Sequence, residues 1–181
     1  MKWIARVFAI TLTLSACAPV GPEVVGETQA PIVDGTFERG RDEVVFLYNV
    51  RGAACTASII APRVVLTAHH CVASNSGATY PASNFRVYVG SSTGSLTAEY
   101  RVAEVRPVPN AGLSGRQPND VALLVLSSAA RETPLEIARE TPSRLFGQTV
   151  TAVGYGQTPA NQSGTKYWTE TSIDGYMGGF I

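Results

Sequence analysis

The sequence predicts an all-β protein, and three observations carry that prediction. Valine, threonine, glycine and proline recur along the body of the chain, and no stretch sustains the apolar period of a long helix. Six short runs rich in β-formers, residues 44–50, 56–60, 64–67, 85–90, 96–107 and 121–126, are separated by turn-forming clusters. Hydrophobic residues make up 45% of the 181 positions, enough for a core in one domain. Six closely spaced strands without intervening helices suit a small closed barrel.

Charge narrows the partners. Fourteen basic residues balance fourteen acidic ones, so electrostatics offer no case for nucleic acid or an anionic surface.

The first residues read as a targeting segment. Lys2 and Arg6 supply positive charge, and residues 7–14 form an apolar run too short to span a membrane as a helix. Leu14-Ser15-Ala16-Cys17 follows and resembles a bacterial lipobox. That resemblance implies a lipidated Cys17 as the mature first residue, and attachment to a membrane through the lipid. Ala18, rather than an aspartate, is similar to the pattern sorted to the outer membrane. The expectation is therefore an exported protein at the outer membrane or cell surface, with release outside the cell as the other destination. An ordinary secretory signal, with Cys17 incidental, is the alternative. Residues 18–31 carry three prolines and two glycines without periodicity and read as a flexible tether. The domain proper is expected over residues 32–181.

Chemistry concentrates between Cys55 and Cys71, which hold two of the three cysteines and bracket both histidines. Two β-rich runs joined by Ala61-Pro62-Arg63 give a strand–turn–strand reading. The second strand delivers a histidine beside Cys71, and a histidine on a rigid wall is what a general base requires.

Ile32-Val33-Asp34-Gly35, Leu66-Thr67-Ala68-His69-His70-Cys71, Asn119-Asp120-Val121-Ala122-Leu123-Leu124 and Gly154-Tyr155-Gly156 follow one another along the chain. In that order these four landmarks resemble the chymotrypsin-like (trypsin) serine protease family: its mature N-terminus, its L-T-A-A-H-C histidine motif, its N-D-I-A-L-L strand and the G-W-G strand opening its second barrel. The resemblance implies a double β-barrel, with the first barrel and only the start of the second expected here. It implies His70 as general base, Asp120 as the residue that fixes its tautomer, and protein or peptide substrates. It also implies a Cys55–Cys71 disulfide, in keeping with an exported chain and with Cys17 reserved for lipid. Closing that loop should contribute about 3 kcal/mol. Adjacent histidines project differently and lack the usual spacing of zinc ligands, so no metal site or other cofactor is expected.

The sequence departs from the family where the nucleophile belongs. No G-D-S-G-G segment occurs in residues 1–181. The expectation is a C-terminally truncated member without serine, oxyanion hole or specificity pocket, and hence without peptidase activity. The alternative is a non-catalytic, surface-tethered binding module built on the first barrel. Gly90-Ser91-Ser92-Thr93-Gly94 fits G-x-S-x-G, but a strand is expected after it instead of a helix, so it reads as a hairpin. His69 stands where the family has alanine and must be packed or exposed. Ala30-Pro31 precedes Ile32 where a trypsin-like activator would require a basic residue.

Overall fold

A computed structural model describes residues 35–108, 119–157 and 163–173. The expected leader, Cys17, the tether and Ile32 lie outside these residues. Among the described residues the regular structure is strand, with short 3-10 turns and no α-helix.

Six strands close into a barrel. They are β2 (Val44–Asn49), β3 (Ala54–Ala61), β4 (Val64–Thr67), β5 (Phe85–Ser92), β6 (Ser95–Pro107) and β7 (Ala122–Leu126). Their order around the wall is β2-β3-β4-β7-β6-β5, every neighbouring pair antiparallel. Closure leaves no exposed edge, which is how a small β protein avoids unpaired backbone. Three more strands, β1 (Thr36–Phe37), β8 (Thr149–Gly154) and β9 (Tyr167–Ser172), make a separate sheet in the order β1-β9-β8. The sequence expectation contained neither β1 nor β9. Its six barrel strands are all present, with ends shifted by one or two residues.

Alternation places the core. Val45 and Leu47 of β2, Val65 of β4, Val87 and Val89 of β5, and Leu124 and Leu126 of β7 fill the barrel and are at most 1% exposed. Val44 and Phe46 point the other way, yet they are buried too, against Tyr155 at the end of β8. The rings of Phe46 and Tyr155 meet edge to face at 5.5 Å. β2 is thus a wall shared between the barrel and the second sheet.

The G-x-S-x-G stretch is a hairpin, as its flanking strands require. β5 and β6 are joined across Thr93-Gly94, with the pairing register shifting at Gly90. Gly90 has φ of 149°, and a Cβ there would sit 2.2 Å from the Ser95 carbonyl oxygen. Only glycine fits that bulge.

Candidate active site

Register brings His70 and Asp120 together. Thr67 at the end of β4 pairs with Ala122 at the start of β7. The residues just after the first and just before the second therefore emerge at the same rim of the barrel. After β4 the chain tightens into a 3-10 turn, His69–Cys71, where the Val72 N–H donates to the His69 carbonyl at 2.9 Å. Before β7, Asn119 adopts φ of 70°, a left-handed conformation that asparagine tolerates better than most residues. The Val121 N–H donates to the Asn119 carbonyl at 2.7 Å, which curls Asp120 under the turn.

Asp120 grips its neighbour at two points. Its Oδ1 accepts the His70 backbone N–H at 2.9 Å, and its Oδ2 lies 2.7 Å from His70 Nδ1. The carboxylate side chain is 8% exposed and the imidazole 48%, so the acid is covered while the ring reaches solvent. One contact fixes the backbone of the turn and the other fixes the ring. With Nδ1–H donating to Asp120, the Nε2 lone pair is left to accept a proton. His69, the bulky replacement for alanine, is packed inside at 4% exposure.

The disulfide fastens the same turn to β3. Cys55 and Cys71 are bonded, with their Cα atoms 6.2 Å apart across a sequence separation of 16 residues. Thr56, next in β3, joins three elements. Its carbonyl accepts from Thr67 Oγ1 at 3.3 Å, and its own Oγ1 accepts the Tyr155 N–H at 2.9 Å.

Sequence reasoning missed Lys166. It is fully buried, and its Nζ donates to the Arg41 carbonyl at 2.9 Å and the Val44 carbonyl at 3.2 Å. The ammonium also stands 5.7 Å from the centre of the Tyr155 ring. Burial lowers its pKa, an effect opposed by the nearby carboxylates of Asp42, Glu38 and Glu43. Burial likewise pushes the Tyr155 phenol well above its ordinary value, with help from Asp42, and its hydroxyl donates toward the Val44 and Gly90 carbonyls. Burial would raise the Glu38 pKa as well, but the Gly40 N–H and the Arg41 guanidinium outweigh it and hold the carboxyl ionised. These groups pin the second sheet to the barrel. None of them is in the His70–Asp120 pair, and neither is any residue lining the open cleft beside Phe37, Arg39 and Ser91.

A closed six-stranded barrel of this order, in an all-β chain, is consistent with the chymotrypsin-like fold. The family model described as Trypsin matches residues 32–175, and the chain belongs to that family. Comparison with curated proteins returns no match. Membership makes the chain a trypsin-like serine peptidase at the level of the family, with protein or peptide substrates as the class.

Proposed function

We propose that this chain contributes the proton-handling half of a trypsin-like endopeptidase site, with His70 as general base and Asp120 as the residue that orients it. The observation that supports this most is the two-point grip of Asp120 on His70. A general base needs a defined tautomer and a defined position before it can take a proton from a hydroxyl. Residues 1–181 contain no G-D-S-G-G segment to supply that hydroxyl. On this reading the chain by itself hydrolyses no peptide bonds. Loss of the serine alone costs about a millionfold in measured triad proteases.

Two measurements test the proposal. Nitrogen-15 NMR should find His70 held as the Nδ1–H tautomer, and Asp120→Asn should release it to a mixture. A mixture already present in the parent chain would remove the role given to Asp120. A serine-reactive fluorophosphonate should leave the chain unlabelled, and labelling would overturn the claim that it lacks a nucleophile.

Location belongs to the same reading. Lipidation at Cys17 and the tether of residues 18–31 would hold the barrel at the outer membrane or cell surface. Cys17→Ala should then move the protein out of the membrane fraction or block its processing. The surface-tethered binding module is the second reading, supported by a barrel that closes with its own core and disulfide.

A further inference from the structure

The His70 imidazole lies against the disulfide. Both sulfurs and a ring nitrogen of His70 fall within 4.8 Å of one another. While the sulfurs are bonded to each other they have no thiolate to offer. Two thiolates sharing a tetrahedral zinc stand about 3.8 Å apart at zinc–sulfur distances of about 2.3 Å, wider than any disulfide bond allows. Rotation about the two Cα–Cβ bonds can open that gap without moving the Cα atoms from their 6.2 Å spacing.

We propose that reduction of the Cys55–Cys71 bridge turns this corner of the barrel into a zinc site of two thiolates and one imidazole: Cys55, Cys71 and His70. Sulfur with imidazole is a donor set that suits zinc and not the oxygen-seeking ions magnesium and calcium. Asp120 already supplies the outer support such a site needs, because a carboxylate on Nδ1 aims Nε2 and strengthens it as a ligand. The exposed edge of His70 leaves the fourth position to water.

The chemistry balances with a dithiol as reductant. The dithiol gives two electrons to the Cys55–Cys71 bond, which breaks, and its two protons pass to the two sulfurs. It departs as its own cyclic disulfide. Zinc then displaces both thiol protons to solvent, and the thiolate pair neutralises the charge of the ion. A metal on Nε2 occupies the lone pair that would take a proton, so the zinc-bound state has no free base. The site itself requires only the three side chains and does not depend on His70 having a role in proteolysis.

The test uses the full chain, reduced with excess dithiothreitol, freed of it without oxygen, and titrated with cobalt as an optical probe for zinc. One cobalt per chain should bind with strong thiolate-to-metal absorption in the near ultraviolet, and zinc should displace it. The oxidised chain should give no such absorption. His70→Ala should weaken binding at least tenfold and change the visible bands, and Asp120→Asn should weaken it about 10–100-fold. Equal binding by the oxidised chain, or a spectrum and affinity untouched by His70→Ala, would overturn the proposal. So would a reduced chain that keeps its far-ultraviolet dichroism and takes up no metal. If reduction alone unfolds the chain, zinc must restore the dichroism, and failure to restore it counts equally against the site.

Discussion

The barrel and the three-stranded sheet are both antiparallel, but they are held in different ways. The barrel closes on itself, so each of its strands has two neighbours and its interior is a continuous apolar cluster. The sheet is open: among the described residues β1 and β8 each pair only with β9. Its strands are largely exposed or half-buried, and it is fastened at one end by a small apolar cluster of Val44, Phe46 and Tyr155 and by the polar contacts of Tyr155 and Lys166. Apolar burial is non-directional and cumulative, whereas each polar fastening stands or falls with one geometry. The barrel should therefore melt as a unit, and the sheet should detach first.

Phe85→Ala offers the strongest way to break that contrast. The ring is fully buried in the barrel, and its removal should cost about 3–5 kcal/mol and unfold both regions together in a denaturant melt. Separation of the Cys55–Cys71 pair by a double substitution to serine ranks next, at about 3 kcal/mol from the opened loop. The loss should appear in the barrel transition and be accompanied by faster hydrogen exchange in the His69–Cys71 turn. Lys166→Met keeps the bulk of the stem but deletes the donors to Arg41 and Val44, for about 1–2 kcal/mol. Exchange should quicken in β1, β8 and β9 while β4 and β7 stay protected. Uniform quickening would erase the distinction between the regions.

The smallest effect is a pH dependence with a defined sign. Lys166 has a folded pKa below its ordinary 10.5, so as pH rises through that window the unfolded chain holds more protons. Its contribution to stability rises with pH there, and the cost of its buried charge is fully present below it. Tyr155 acts in the opposite sense. Its folded pKa lies above the ordinary 10.0, so the unfolded phenol ionises first and stability falls at more alkaline pH. Urea melts from neutral to alkaline pH should show the rise in the parent chain and its absence in Lys166→Met.

How much could be read in advance follows the same division. The barrel strands are local runs of β-formers, and β5–β6 announce themselves by alternation. The pairing of His70 with Asp120 was legible through motifs, since fifty residues separate the two in sequence. The register that juxtaposes them, Thr67 opposite Ala122, is a property of the closed sheet and is written in neither strand alone. Strand β9, with Tyr167 and Trp168, carries β-formers that a closer reading would have found. Lys166 carries no such signal. A lysine is ordinarily a surface residue, and its two carbonyl partners lie more than 120 positions earlier. Only the folded chain reveals that its ammonium has somewhere to go.

The doubly buried face of β2 matters before the protein is finished. In synthesis from the N-terminus, Val44 to Tyr48 appears well ahead of the barrel core that covers its inner face and of Tyr155, which covers its outer one. Until they arrive, the nascent chain displays five consecutive apolar, β-prone residues with no polar side to turn outward. Asp42 and Glu43 stand immediately before that run as charged gatekeepers, the only acidic pair adjoining it. The shared wall that joins two sheets in the folded molecule is, on the ribosome, an apolar segment with neither face yet covered.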